Sequence, residues 1–169
     1  MSNSTVIIPA RFAASRFHAK LVQDLCGKTV IQRTWEAAKL SKANRIVIAT
    51  DHQQIADIAQ SFGAEVVMTG EHNSGSDRVC EAAQLLGLSD TDLVVNLQGD
   101  EPLFSGKDID LMLDVMQENA KIGMASMMHP MANSDQLTSP SCVKVVVDKN
   151  NRALYFSRSL IPYPRNQID

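Results

Sequence analysis

The sequence predicts an α/β protein with a doubly wound, mainly parallel sheet and an appended β-hairpin. Short apolar runs rich in Val and Ile alternate along the chain with amphipathic segments long enough to be helices. That alternation is typical of crossover connections between parallel strands. The runs are apolar at successive positions rather than at every second one, as expected of strands that are buried on both faces.

The first half of the chain supplies three predicted strands and two predicted helices. The strands are expected at residues 5–10, 45–50 and 65–68. From Val30 to Ala38, apolar residues recur three and four positions apart, which is the spacing of a helix with one buried face. Residues 53–62 show the same spacing, and Gly63 follows them where a helix C-terminus favours a left-handed residue.

The second half continues this alternation and then changes. A helix at residues 77–86, a strand at 92–97, a helix at 105–119 capped by Ser105, and strands at 122–128 and 143–147 are predicted. Residues 144–148 and 153–156, joined by a turn at 149–151, are expected to form the appended hairpin. The core is expected to include Met112, Met116, Met124, Met127 and Met128. With no linker in the sequence, residues 1–169 are predicted to form a single domain.

Composition excludes several classes of protein. The chain has 169 residues, of which 44% are apolar and 21% charged, and this is ordinary for a globular domain. A net charge of −3 without charge runs argues against nucleic-acid and anionic-membrane partners. Neither the three cysteines nor the four histidines show zinc-ligand spacing. Because no secretory signal or membrane-length apolar stretch is present, a cytoplasmic location is expected.

A basic segment follows the first predicted strand. In an open parallel sheet, ligands bind beyond the carboxyl ends of the strands, and here Arg11, Arg16 and Lys20 follow Pro9 within one loop. Three cations suit a polyphosphate, because guanidinium groups offer paired donors and Lys offers a mobile charge. A solvated basic loop is the alternative. The absence of GxxxxGK[ST] and GxGxxG motifs disfavours a P-loop NTPase and a dinucleotide dehydrogenase.

The ends of the other strands are also polar. Ser74 and Gly75 follow the third strand and are suited either to contacting the edge of a base or to capping the next helix. Asp100 follows Gly99 after the fourth strand, where a carboxylate is a suitable ligand for Mg²⁺ bound to nucleotide phosphates. A capping role is the alternative for Asp100. Glu101 is either a further ligand or a solvated side chain, and the second interpretation is favoured.

A set of motifs distributed over the whole chain resembles one enzyme family. They are Pro9-Ala-Arg11 with Ser15-Arg16 and Lys20, Ala49-Thr-Asp-His52, Met68-Thr with His72-Asn-Ser-Gly75 and Arg78, Asn96-Leu-Gln-Gly-Asp-Glu-Pro102, Val143-Lys-Val-Val146, and Leu154-Tyr-Phe-Ser-Arg-Ser159 with Ile161-Pro162. In this order they resemble the 3-deoxy-manno-octulosonate (Kdo) cytidylyltransferases, or CMP-Kdo synthetases. The resemblance implies a Rossmann-like sheet of the nucleotide-diphospho-sugar transferase type.

The resemblance also implies roles for particular residues. It assigns nucleotide binding to Pro9, Ala10, Arg11, Arg16, Lys20, Thr50, Asp51, Ser74, Gly75, Arg78 and Gln98. Catalytic roles fall to Arg11, Lys20 and Asp100, with Asp100 as the metal ligand. Contact with the acidic octulosonate sugar falls to Gln98, Tyr155, Ser157 and Arg158.

The activity implied is the activation of Kdo by CTP and Mg²⁺ for lipopolysaccharide assembly, with release of diphosphate and a homodimer formed by the full-length chain. Family members continue beyond the position of Asp169 and supply a second metal-binding aspartate there. This sequence also departs from the family at Phe17-His-Ala-Lys-Leu-Val22, where the usual loop is Leu-Pro-Gly-Lys-Pro-Leu. Alternative interpretations are a cytidylyltransferase for 8-amino-Kdo or another acidic sugar, and a non-catalytic nucleotide-binding module.

Overall fold

The structure is a computed structural model and describes residues 3–11, 20–163 and 165. The chain divides into two compact units, Met1–Ala125 and Ser126–Asp169. The first unit contains a four-stranded parallel sheet, and the second contains a two-stranded antiparallel hairpin. The α/β class and the parallel central sheet predicted from the sequence are thereby confirmed.

The parallel sheet has β1 at its centre. Its strands are β1 (Ser4–Ala10), β2 (Arg45–Thr50), β3 (Glu65–Met68) and β4 (Leu93–Asn96), in the order β3-β2-β1-β4. Every residue of β1 is buried. Val6 pairs with Ile46 on one side and Val95 on the other, so the apolar runs meet in register across the sheet.

Helices cover both faces of this sheet. They are α1 (Val30–Ala38), α2 (Gln53–Ser61), α3 (Gly75–Leu85) and α4 (Gly106–Glu118), and a short 3₁₀ turn occupies Lys20–Val22. Val6 and Ile8 of β1 belong to the larger core cluster, which includes buried residues of α1, α2 and α4. Ile7, between them, faces a second cluster with Val79 and Ala82 of α3. The alternation of side chains along β1 therefore separates two apolar layers, as a doubly wound sheet requires.

Helix capping explains where these helices begin. The hydroxyl of Ser105 accepts a hydrogen bond from the Lys107 amide, which confirms the predicted cap of α4. Helix α3 begins at Gly75 rather than at the predicted residue 77, because Ser74 caps it. Gly63 follows α2 with a φ of +83°, a left-handed conformation that glycine adopts without strain.

The second unit contains a short helix, α5 (Ser134–Thr138), and the hairpin of β5 (Lys144–Val147) and β6 (Ala153–Ser157). The hairpin prediction is confirmed for these two segments, which pair antiparallel. The two strands form a two-stranded sheet of their own. Adjacent antiparallel strands satisfy their backbone groups through each other and need no third strand for that pairing.

The predicted strand at residues 122–128 is also wrong, because this segment has no regular secondary structure. A strand forms only where a neighbour supplies matching N–H and C=O groups, and among residues 3–11, 20–163 and 165 none pairs with it. Its methionines are correspondingly exposed rather than in the core, with Met124 83%, Met127 45% and Met128 50% accessible. Met112 does pack against the core.

Candidate functional site

A cleft of about 160 Å³ lies at the carboxyl end of the parallel sheet. It is lined by residues from the ends of β1 and β4, the 3₁₀ turn, and the loop and first turn around the start of α3: Pro9, Arg11, Lys20, Leu21, His72, Ser74, Gly75, Arg78, Gln98, Gly99 and Asp100. The carboxyl ends of parallel strands share one edge, so segments far apart in the sequence converge there. Many of the residues predicted to bind nucleotide and metal are therefore brought together.

The predicted phosphate-binding lysine and the predicted metal ligand are in direct contact. Lys20 Nζ lies 2.8 Å from Asp100 Oδ2, with 49% and 44% of the two side chains exposed. Exposed ion pairs contribute only about 0–1 kcal/mol. Little free energy therefore holds the two charges to each other, and a bound polyanion or cation can replace either partner.

Ser74 takes the capping role that the sequence predicted as one of two alternatives, and it also lies at the cleft. Its Oγ accepts a hydrogen bond from the Asp77 amide at 3.1 Å and donates one to Asp77 Oδ2 at 2.7 Å, so it caps α3. It also lines the cleft. The capping interaction fixes the orientation of the Ser74 side chain at the cleft wall.

Gly75 provides a surface without a side chain at the next position. A Cβ atom there would lie 3.3 Å from Pro9 Cγ and 3.4 Å from Gln98 Oε1. Gln98 is itself oriented, because its Nε2 donates to Asn96 Oδ1 at 3.0 Å. Pro9, Gly75 and Gln98 therefore form a close-packed part of the wall in which an added methyl group has little room.

Arg78 is buried and joins three elements. Its guanidinium donates to Asp51 Oδ2 at 2.6 Å and to Thr69 Oγ1, and only 3% of its side chain is exposed. Asp51 follows β2 and Thr69 follows β3, so Arg78 holds α3 to the ends of both strands. Although Arg78 lines the cleft, its observed contacts are structural.

Thr50, Asp51 and Ala10 were also predicted to bind nucleotide, but none of them is among the described residues that line the cleft. Thr50 and Ala10 are fully buried. Thr50 Oγ1 accepts a hydrogen bond from the His52 amide at 3.2 Å. Arg16 lies outside the described residues.

The cleft also contains a histidine to which sequence reasoning assigned no role. His72 Nε2 lies 2.6 Å from Glu81 Oε2, and the same oxygen accepts the Gly70 amide at 2.9 Å. These two hydrogen bonds, that from His72 foremost, hold the pKa of the Glu81 carboxyl below its usual range. The sequence signal for it was its place in the motif His72-Asn-Ser-Gly75, two residues before Ser74.

Gly99 and Leu21 complete the floor of the cleft. The Gly99 carbonyl accepts a hydrogen bond from Thr34 Oγ1 at 2.9 Å in a buried position. A Cβ on Gly99 would lie 3.1 Å from Ile31 Cδ1 and 3.2 Å from Leu21 Cδ1. The glycine therefore allows the segment that carries Asp100 to pack closely on α1.

Of the four residues predicted to contact the sugar, Gln98 lines the cleft of the first unit. The other three lie in the second unit, on β6 and directly after it. Tyr155 is 60% exposed, and Ser157 Oγ accepts the Ser159 amide at 2.9 Å. Arg158 donates from one guanidinium nitrogen to the Pro140 carbonyl at 2.8 Å. The fully buried Lys144 ammonium donates to the carbonyls of Ser139, Cys142 and Arg158, which fixes the backbone at this end of the hairpin.

The donor set at Asp100 fits a magnesium ion that arrives with a nucleotide. No cluster of three or more His, Cys, Asp or Glu side chains suited to a metal occurs within the described ranges. Mg²⁺ commonly needs no such cluster, because one or two carboxylates and the substrate phosphates hold it. The Asp100 carboxylate is positioned in the cleft beside Lys20, where a cationic group already contacts Oδ2.

Taken together, the cleft suits a nucleoside polyphosphate. Arg11 and Lys20 supply positive charge, and Ser74, Gly75 and Gln98 supply a close-packed wall with hydrogen-bonding groups.

No helix in the described part of the chain is both long and apolar enough to cross a membrane.

Comparisons with known proteins agree with this chemistry. The family model described as cytidylyltransferase matches residues 5–168. The chain is similar to the 3-deoxy-manno-octulosonate cytidylyltransferase of Haemophilus influenzae (strain 86-028NP), with 46% identity over 97% of this chain and 65% of that protein. The protein of the same name from Francisella tularensis subsp. novicida (strain U112) is 44% identical over 98% of this chain and 66% of its own length. The chain thus spans about two thirds of the length of these relatives.

Two solved structures of related enzymes are also similar to this chain. The fold is similar to that of a CMP:2-keto-3-deoxy-manno-octonic acid synthetase complexed with CTP, with a TM-score of 0.90 and 37% identity over 98% of this chain and 68% of that one. A cytidylyltransferase from Leptospira borgpetersenii serovar Hardjo-bovis (strain JB197) aligns with a TM-score of 0.62 and 27% identity over 70% of this chain and 50% of its own.

Proposed function

Because this chain belongs to the cytidylyltransferase family, we propose that it carries the nucleotide-binding part of an enzyme that transfers CMP from CTP to Kdo. The observation that supports this most directly is the cleft itself, which combines Arg11, Lys20 and Asp100 with the Ser74 and Gly75 wall. The CTP-complexed structural relative supports the choice of nucleotide.

In the proposed reaction, the anomeric hydroxyl oxygen of Kdo forms a bond to the α-phosphorus of CTP. The bond from that phosphorus to the bridging oxygen of the β-phosphate breaks, so diphosphate leaves with the bonding electron pair, and the hydroxyl proton passes to solvent. Such transfers depend on positioning and charge stabilisation rather than on a covalent enzyme intermediate. The role of the protein is therefore to align the phosphates and to neutralise the charge of the leaving group.

Arg11 and Lys20 are proposed to perform that neutralisation, together with Arg16 of the same loop. The Lys20 ammonium now lies on Asp100, and its long, half-exposed side chain is able to turn to the phosphates. Fixed and mobile cations that meet the developing negative charge lower the barrier to its formation.

Asp100 is proposed to hold a divalent metal, which we assign as Mg²⁺ because the donors are hard oxygens. When bound, such an ion polarises phosphoryl oxygens and compensates their charge. The carboxylate of Asp100 contributes the protein ligand, and its exchange from Lys20 to a metal requires only the loss of one exposed ion pair.

Ser74, Gly75 and Gln98 are proposed to recognise cytosine, and Gln98, Tyr155, Ser157 and Arg158 the sugar acid. The close packing of Gly75 against Pro9 and Gln98 supports the first assignment, since a flat base requires a wall with no protruding side chain. The exposed guanidinium of Arg158 suits a sugar carboxylate because it retains donors beyond the one bound to Pro140.

We also place this reaction in the cytoplasm, where CTP is available, and its product in lipopolysaccharide assembly. The full-length protein is proposed to be a homodimer. Exposed apolar side chains on β6, with Leu154 66% and Phe156 54% accessible, support an interface there. Sedimentation analysis of the full-length protein tests this, and a monomer at all concentrations would contradict it.

The function is tested by nucleotide titration and by an assay of diphosphate release. Calorimetry with CTP, UTP, ATP and GTP is expected to favour CTP by about 5- to 150-fold, because an unsatisfied buried donor costs about 1–3 kcal/mol. With Mg²⁺ present, diphosphate release is expected to require both CTP and Kdo. Equal affinity for all four nucleotides would contradict the cytidine assignment, and preferential CTP binding without transfer in the full-length protein would support the nucleotide-binding module instead.

A further inference from the structure

We propose that His72 is a nucleotide-contacting residue of the cleft, that Nδ1 is its contact atom, and that Glu81 is its positioning residue. The inference deepens the proposed function and rests on it. It assigns a specificity role to a side chain that lines the same cleft as Ser74 and Gly75.

The position of the His72 ring is fixed from α3. Glu81 lies one turn after Asp77, and its Oε2 contacts both His72 Nε2 at 2.6 Å and the Gly70 amide at 2.9 Å. A carboxylate that accepts two hydrogen bonds holds the ring and the loop backbone at once. Because 25% of the His72 side chain is exposed, the ring is partly open to the cleft that it lines.

The same contact determines which ring nitrogen carries the proton. Glu81 is an acceptor when ionised, and the two hydrogen bonds keep its pKa low, so Nε2 must carry a hydrogen atom to donate. In neutral imidazole the other nitrogen, Nδ1, then has a lone pair. Among the described residues, none forms a hydrogen bond with Nδ1. Nδ1 is therefore the ring atom left for a ligand.

An acceptor at this place suits a hydrogen-bond donor of the nucleoside. Cytidine offers two such groups, the exocyclic 4-amino group and the ribose hydroxyls. Uridine has a carbonyl oxygen in place of the amino group, so an acceptor on the protein disfavours it. With the 4-amino group as the donor, His72 discriminates between the pyrimidines; with a ribose hydroxyl as the donor, it contributes affinity for the nucleotide.

The test uses substitutions that separate the two ring nitrogens. In H72Q the side-chain amide is expected to keep a donor for Glu81, while its acceptor oxygen, on the same carbon as the donor nitrogen, does not occupy the position of Nδ1. CTP binding is measured by calorimetry near pH 8, where imidazole is ordinarily neutral. We expect H72Q to bind CTP about 3- to 10-fold more weakly, the effect of one lost hydrogen bond. H129Q, the same change at an exposed histidine of the second unit, is expected to leave the affinity unchanged.

Two analogues of CTP, UTP and 2′-deoxy-CTP, identify which group of the nucleotide donates to Nδ1. If Nδ1 accepts from the 4-amino group, H72Q reduces the preference for CTP over UTP by the same factor as its loss of CTP affinity. If it accepts from the ribose 2′-hydroxyl, H72Q loses affinity for CTP and UTP alike but not for 2′-deoxy-CTP. Unchanged affinity of folded H72Q for CTP would overturn the proposal.

A second measurement needs no variant. The ¹⁵N spectrum of the wild-type histidines is expected to show His72 protonated at Nε2 and its Nδ1 resonance shifted on addition of CTP. Protonation at Nδ1 alone, or no shift at saturating CTP, would overturn the proposal while leaving CTP binding intact. A wild-type protein that does not bind CTP would instead contradict the proposed function itself.

Discussion

The two sides of the cleft are constructed differently. On the α3 side, Arg78, Glu81 and Asp77 form several hydrogen bonds that hold the loop before α3, which carries His72 and Ser74. Arg78 is almost fully buried. On the opposite side, Lys20 and Asp100 share one half-exposed ion pair. In the proposed assignment, the base would meet a fixed wall and fixed hydrogen-bonding groups, whereas the phosphates and the metal would meet charges that can exchange partners. The comparison therefore separates selectivity for the base from neutralisation of phosphate charge, and each can be tested by itself.

The largest effect, a loss of turnover, is expected on the side of the cleft that carries Lys20 and Asp100. Asp100→Asn keeps the volume of the side chain and removes its charge, so diphosphate release in the full-length protein should fall about a thousandfold. The melting temperature should hardly change, because only an exposed ion pair is lost. Near-normal turnover by a folded variant would refute the metal-ligand role of Asp100.

On the α3 side of the cleft, a substitution is expected to lower the stability of the fold. Arg78→Met leaves Asp51 without its buried partner and should lower the free energy of unfolding by about 3–5 kcal/mol, measured by urea titration. Arg45→Met provides the matched control, because Arg45 pairs with Glu65 on the surface, with 37% and 44% of the side chains exposed. Its cost should stay within about 1 kcal/mol. Equal costs would contradict the distinction between the two sides.

The role of the close-packed wall formed by Pro9, Gly75 and Gln98 is tested by adding one methyl group at Gly75. Gly75→Ala places a Cβ 3.3 Å from Pro9 Cγ and should weaken CTP binding about tenfold, or about 1.4 kcal/mol, with little change in stability. Gly123→Ala is the control, since no atom lies within 4 Å of its added Cβ. If both variants bind CTP like the wild type, the close-packed wall has no role in binding.

The smallest expected effect is the pH dependence of the free energy of unfolding that Glu81 contributes. The pKa of Glu81 is lowered in the folded state, first by the His72 hydrogen bond, so the carboxylate stabilises the fold above its usual titration range. That contribution is lost as the pH falls through the lowered folded-state pKa. Urea titrations of the wild type and Glu81→Gln across the acidic range should therefore converge at low pH. A stability difference that stays constant with pH would exclude this linkage.

Much of the fold was predictable because local patterns determine it. Successive β-branched residues in β1 and β2 predicted strands buried on both faces, and the capping residue Ser105 predicted the start of α4. Asp100 was predictable as a cleft residue because it lies in the short segment after the carboxyl end of β4, a strand of the parallel sheet. The segment 122–128 was not predictable, since an apolar run becomes a strand only when a neighbouring strand pairs with it.

The supporting contacts of the cleft were beyond sequence reasoning for a similar reason. Arg78 reaches Asp51 from 27 positions away, and nothing local shows that this arginine is buried. The pairing of His72 with Glu81 requires the loop to fold back on α3. Residue types and strand ends indicated which charged side chains lie near the cleft. They did not indicate that Arg78 is held in a buried ion pair while Lys20 and Asp100 form an exposed one.

Salt dependence of nucleotide affinity tests the contrast between the two sides most directly. Raising the salt concentration from about 0.1 M to about 1 M shortens the screening length from about 10 Å to about 3 Å. We predict that CTP affinity falls by at least about tenfold, because exposed charges bind the phosphates, while the ratio of CTP to UTP affinity changes less than about twofold. A preference for CTP that disappears with salt, or an affinity that does not respond to salt, would contradict the account.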